Sequence, residues 1–229
     1  MLHTWKATSD SEGDARILGY LDDHSYLIDA LLTLYEATFD YSYVDEARSL
    51  ADRMIERFWD PDWKVFYDTS LEHSKLLIRP RDVLDNALPS GGAIAAMALQ
   101  RLAIFTGDRE YTAKAEASMK ALIPHMEQAP SAVTSWLAAV DFLRSDSQEV
   151  VLIGEQDDSV MADMKRELRS SFAPNRVLAG SAREVTEGEV SPLLAERSQI
   201  ASKATAYVCE NYACKLPVTS VAELVEQLG

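Results

Sequence analysis

Between Gly19 and Asp40 the apolar residues Leu27, Ala30, Leu31, Leu34 and Tyr35 recur every three or four positions. That period predicts a helix over about 22–38 that buries this face. The polar knot Asp22-Asp23-His24 opens it, with Asp22 or Asp23 placed to cap its first amides. After a turn at Phe39-Asp40-Tyr41, Ala47, Leu50, Ala51, Met54 and Ile55 mark a second helix over 43–58. Pro61, within Trp59-Asp60-Pro61-Asp62-Trp63, cannot continue that helix, and Val65-Phe66-Tyr67 reads as a short hairpin strand beyond it. A loop over Ser70–Pro80 leads to a third helix from Pro89-Ser90 to Phe105, carrying Ile94, Met97, Ala98 and Leu102. Gly107-Asp108 turns the chain into a partner helix over Glu110–Ile123, and Ala132–Leu143 begins another. Ahead of all this, Met1–Ala15 is polar and without period. Trp5 is the exception, and a tryptophan there is expected to pack on a neighbour.

The two hairpins repeat. Sliding one onto the other sets Ala30, Leu31, Leu34, Thr38, Asp40, Tyr43, Ala47 and Ile55 on Ala98, Leu99, Leu102, Thr106, Asp108, Tyr111, Ala115 and Ile123. A repeated helix–turn–helix unit cannot bury its apolar face without neighbours. In the shared Thr-x-Asp-x-x-Tyr turn, the Asp is expected to cap the following helix and the Tyr to pack onto it. The third unit is not completed, so the array is expected to expose apolar surface and to self-associate.

Past Asp146 the pattern changes. Glu149–Gly154 is a continuous apolar run, as a strand buried on both faces would be. An amphipathic helix over 157–172 and a strand at Asn175–Leu178 complete a βαβ unit. Ser181–Ile200 is polar, Thr205–Cys209 is a third strand, and Ser220–Leu228 is a helix opened by a Ser220/Glu223 capping box. These elements predict a mainly α chain: 1–145 as helical hairpins, and 146–229 as a small α/β subdomain.

Composition narrows the function. The 229 residues are 47% hydrophobic and 8% aromatic, enough for a real core. With 22 basic and 37 acidic residues, the net charge of −15 argues against nucleic-acid or anionic-membrane partners. There is no secretory leader pattern and no apolar run long enough to span a bilayer, and two cysteines fit a reducing compartment, so a cytoplasmic location is expected. No P-loop, dinucleotide fingerprint, zinc-protease motif or nucleophile elbow is present, and neither a metal nor a cofactor is expected.

Three groups of residues can carry chemistry. Asp22, Asp23 and His24 supply titratable groups for acid–base work, against the alternative of a helix cap beside a solvated histidine. Arg79, Arg81, Asp82, Asp85, Asn86 and Ser90 form a second polar cluster, with Trp59, Trp63 and Tyr67 available to stack on a sugar. The alternative for that cluster is a solvated charged loop. Cys209 and Cys214 lack the C-x-x-C spacing. Cys209 would end a strand and Cys214 would lie in the next turn, so a reversible disulfide or a low-pKa thiol stands beside two reduced structural cysteines.

As a set these landmarks resemble a known family. Leu21–Leu32, Leu34–Asp40, Arg79-Pro80, Pro89-Ser90-Gly91 and the tail Ala206–Cys214 are similar to the thioredoxin-domain-containing family typified by spermatogenesis-associated protein 20. The resemblance covers nearly the whole chain. It implies a partial (α/α) toroid of the six-hairpin glycosidase and N-acylglucosamine 2-epimerase type, followed by the α/β segment. It further implies that the chain is the C-terminal third of such a protein, whose missing N-terminal domains, among them a thioredoxin-like one, would be its partners. Where the family commonly reads Pro-Ser-Gly-Asn, this chain has Gly92 after Gly91. Two functions follow: a carbohydrate-directed enzyme of epimerase or hydrolase type acting on a sugar or sugar-derived molecule, or a non-catalytic scaffold or thiol-redox module docking the thioredoxin-like domain.

Overall fold

A computed structural model describes residues 1–7, 13–73, 77–145, 147–155, 157–181, 191–210 and 213–228. Among them, eight α-helices account for a little under half of the chain, with small sheets making up the remaining regular structure. The fold is therefore mainly α with some strands. It divides into two compact units, one of Met1–Leu32, Tyr43–Ala103 and Asp108–Val140, the other of Thr33–Ser42, Ile104–Gly107 and Asp141–Gly229. Asp146 and the tail residues Asn211 and Tyr212 lie outside the described residues, as do 182–190 of the stretch read as polar.

Helix α1, Leu21–Thr38, corrects the first expectation. Its buried side runs through Leu21, His24, Ser25, Ile28, Leu32 and Tyr35, while Leu27, Ala30 and Leu34 are exposed. The helix carries two apolar stripes at helical spacing, and periodicity alone cannot choose between them. Neither Asp22 nor Asp23 is the N-cap, because the helix starts at Leu21. Asp23 instead reaches back, its Oδ2 accepting from the Tyr20 N–H at 2.9 Å, as the third residue of a capping box does.

In the first unit, β1 (Leu2–Lys6) and β2 (Asp14–Leu18) pair antiparallel where no element was expected. Most of their side chains are exposed, so no apolar alternation marks them. Trp5 is 67% exposed and has only a slight seat, its indole lying over Gly13. Helix α2, Ser42–Phe58, buries Val44, Ala47, Ala51, Met54 and Phe58. Beyond it β3 (Trp59–Asp60) and β4 (Val65–Phe66) form the expected hairpin, with Trp59 opposite Phe66. Helix α3, Gly91–Thr106, is buried on nearly every side. Asp108 caps α4 (Arg109–Ala121) by accepting from the Glu110 N–H, as the turn motif predicts. The expected run to Ile123 breaks at Leu122, because Pro124 has no N–H for the ladder, and the chain restarts as α5 (Ile123–Gln128). A 3-10 turn at Pro130–Ala132 then leads to α6, Thr134–Arg144.

The second unit is built on a sheet of order β6-β5-β7-β8. Here β5 (Gln148–Ile153) is parallel to β6 (Arg176–Ser181) across α7 (Ser159–Ser170), and antiparallel to β7 (Thr205–Glu210). The two-residue β8 (Ala213–Cys214) was too short to leave a pattern. Val150, Leu152, Leu178 and Val208 on one face pack with Met161, Met164 and Leu168 of α7 and with Leu224 of α8 (Val221–Leu228). The outer edge of β6 is not left open. The Leu178 N–H donates to Glu36 Oε1, and the Tyr35 hydroxyl both donates to and accepts from Gly180. Residue 180 must be small, since a Cβ there would stand 2.4 Å from the Phe39 ring.

Candidate functional site

Gly91 brings two helix starts together in the first unit. A side chain at Gly91 would meet the Asp22 backbone at 3.2 Å, so α3 begins against the first turn of α1. Nearby, the Leu21 N–H donates to the Asp68 carbonyl at 2.9 Å and the Asp82 N–H donates to Asp68 Oδ2 at 2.8 Å. These bonds tie the segment after β4 to the same place. The result is a cavity of about 400 Å³ whose walls include Tyr20, Asp22, Tyr26, Asp68, Asp82, Asn86 and Ser90. Two helix N-termini there offset some of the negative charge.

The walls are held by their own hydrogen bonds. Asn86 Nδ2 donates to Asp82 Oδ2 at 3.0 Å, and the Ser90 hydroxyl donates to the Asp82 carbonyl at 3.0 Å. The Tyr26 hydroxyl donates to the Pro89 carbonyl at 2.6 Å. Burial, then the charges of Asp22 and Asp85, raise the Tyr26 phenol above its ordinary value. Asp68 is the unusual carboxylate. Burial chiefly, and the like charges of Asp82 and Asp22, push it above the usual carboxylate range against the pull of the Asp82 N–H and Arg81.

Of the residues expected from sequence, Asp22, Asp82, Asn86 and Ser90 therefore line one concavity. The others do different work. Asp23 Oδ2 holds His3 Nδ1 at 2.7 Å. His24 is not solvated: it is 2% exposed, packs on Phe58, and gives its Nδ1 proton to the Tyr20 carbonyl at 2.7 Å, while desolvation lowers its pKa. Asp85 accepts from the N–H groups of Ser90 and Ser135 and from the Thr134 hydroxyl. Burial alone would raise its carboxyl, but these bonds hold it below the usual range. Arg79 lies over the Tyr67 ring at 4.2 Å and donates to the Thr69 carbonyl. Trp59 packs edge-on against Phe66, and Trp63 is 69% exposed. None of these three aromatic residues lines the cavity, whose aromatic walls are Tyr20 and Tyr26. Sequence reasoning missed both tyrosines and Asp68.

No family model matches the chain. Over 214 residues, or 90% of its length, it is 28% identical to spermatogenesis-associated protein 20 of Homo sapiens, and equally so to the Mus musculus protein of that name. The chain is similar to spermatogenesis-associated protein 20. It is also 23% identical over 215 residues to an uncharacterized protein of Caenorhabditis elegans. The chain spans about a quarter of the length of these curated relatives, 27%, 26% and 29% respectively. These names carry no reaction with them.

Cys209 and Cys214 form a disulfide joining β7 to β8, which sets aside the reading of two reduced structural thiols. Cys209 is buried and Cys214 is exposed. Among the described residues no group of three or more His, Cys, Asp or Glu side chains is arranged to hold a metal ion, and no helix is long and apolar enough to cross a membrane.

Proposed function

We propose that the cavity around Asp68 is a carbohydrate site working by acid–base chemistry, of the epimerase or hydrolase type, on helical hairpins that belong to an (α/α) toroid. The observation that carries this reading is a carboxyl of raised proton affinity sharing one concavity with two other acidic residues. Asp68 is held toward its protonated form, while Asp22 and Asp82 share the walls with it. Environments that push neighbouring carboxyls apart in proton affinity assign an acid and a base. In this reading Asp68 gives a proton to the leaving or ring oxygen, and Asp82 or Asp22 takes one up. Tyr20 and Tyr26 add aromatic surface to the walls, while Asn86 and Ser90 fix the Asp82 loop. The acidic lining selects against phosphorylated sugars and favours neutral or amino-substituted ones.

Thermal-shift titration of the chain with matched neutral, amino and phosphorylated sugars tests the proposal. A ligand specific for the folded state raises the melting point in proportion to its saturation, by about 2.7 kcal/mol of stability at a hundredfold excess over Kd. A shift with neutral or amino sugars that Asp82→Ala removes is expected. A shift confined to sugar phosphates, or no shift with any sugar, overturns the assignment.

A further inference from the structure

A second reactive arrangement lies in the other unit, on the sheet face opposite α7 and α8. Arg197 places Nη2 3.2 Å from Cys209 Sγ and 3.3 Å from Cys214 Sγ, so one guanidinium touches both sulfurs of the disulfide. The loop that carries it is fixed at its turn. Glu196, Ala201 and Ser202 all have left-handed φ, of 59°, 51° and 56°. The Tyr207 hydroxyl accepts from the Ser198 N–H and donates to the Ser198 carbonyl, at 3.2 and 2.7 Å. Arg197 also lies 5.6 Å from the centre of the Tyr207 ring. Non-glycine residues in that backbone region carry strain that the surroundings must hold in place. A neutral disulfide gains little from a half-buried cation, whereas a thiolate gains a great deal.

We propose that Cys209–Cys214 is a thiol–disulfide exchange site for a dithiol, with Cys214 the sulfur attacked and Arg197 the group that stabilises the departing thiolate of Cys209. An incoming thiolate attacks the exposed Cys214 Sγ. The S–S bond breaks, and its electron pair leaves on Cys209 Sγ beside Arg197. The second thiolate of the same dithiol then attacks the first sulfur of that dithiol, releasing Cys214. The dithiol is oxidised to its disulfide and the two cysteines are reduced, with two electrons transferred. The two protons lost by the dithiol go to Cys214 and to solvent or Cys209. Glu149 is the opposing charge. It stands directly across the strands from Cys209, and its carboxylate attracts Arg197 while burial raises its proton affinity.

The experiment equilibrates the 229-residue chain with mixtures of reduced and oxidised glutathione, quenches with acid, and counts free thiols by alkylation and mass. Wild-type chain should titrate within the glutathione series while its circular dichroism stays native. Arg197→Gln should need about tenfold more reducing conditions, equivalent to about 30 mV for a two-electron couple. Glu149→Gln, which frees the guanidinium, should move the midpoint the opposite way. Variants that all titrate with the wild type, or a disulfide that resists reduced glutathione in the folded chain, overturn the proposal. If Arg197→Gln does not fold, the wild type decides alone. Alkylation of Cys209 in the reduced chain must then show an apparent pKa below the ordinary thiol value of about 8.5. A value at or above that overturns it equally.

Discussion

Asp68→Asn should make the protein more stable at neutral pH while silencing the cavity. The folded chain binds the Asp68 proton more tightly than the unfolded chain, where an Asp stays near the ordinary value of about 3.9. Stability therefore falls as pH rises from that value through the folded pKa, because the ionised carboxylate carries the penalty. Burial is the chief source of that penalty, and the like charges of Asp82 and Asp22 add to it. Asp68 is only partly buried, so solvent screening keeps the cost small, on the order of 1 kcal/mol. Asparagine keeps an oxygen to accept the Asp82 N–H, so the substitution removes the charge without orphaning a donor. For a chain of this length the gain is about 2–4 °C in Tm at pH 7, shrinking toward acid where the carboxyl is protonated in both states. Differential scanning calorimetry of both proteins between pH 4 and 7 is the assay. A variant less stable than wild type at pH 7, or one whose advantage does not shrink with acid, would refute the electrostatic account of Asp68.

Two further perturbations probe the frame. Gly180→Ala sets a methyl group 2.4 Å from the Phe39 ring, and overpacking of this kind should cost about 1–3 kcal/mol in urea unfolding; an unchanged midpoint would mean the ring is free to move. His24 is neutral and buried in the fold but protonates in the unfolded chain near pH 6.5, so stability is complete above that value and declines as pH drops toward the lower folded pKa. Equilibrium unfolding between pH 7 and 5 should show that decline, and His24→Asn should flatten it; parallel curves would sink this reading of the histidine.

Much of the fold was legible because it is local. The repeated turn shows the same bond twice: Asp40 Oδ1 accepts from the Ser42 N–H, and Asp108 Oδ1 from the Glu110 N–H. The βαβ unit and the capping box at Ser220 likewise need only near neighbours in sequence. What escaped is what only tertiary structure decides. Tyr35 is buried as expected, but the choice between Leu27, Ala30 and Leu34 and the stripe of Ile28 and Leu32 depends on which neighbours are present, and the same holds for the exposed hairpin at the N-terminus.

The cavity shows the same boundary from the other side. Asp22 and Asp82 stood out because each lies in a polar cluster just ahead of an apolar helical run. They share a wall because Gly91 allows one such helix to start against the other. Asp68 had no such marker: it follows a two-residue strand, in a stretch where a solvated carboxylate would be unremarkable. Its chemistry comes from the backbone bond between Leu21 and its own carbonyl, which draws it beneath the start of α1, and from the Asp82 loop closing over it. A carboxyl acquires a raised proton affinity from its surroundings, not from its neighbours in sequence. The residue on which the proposed acid–base pairing turns is therefore the one that the linear pattern was least able to reveal.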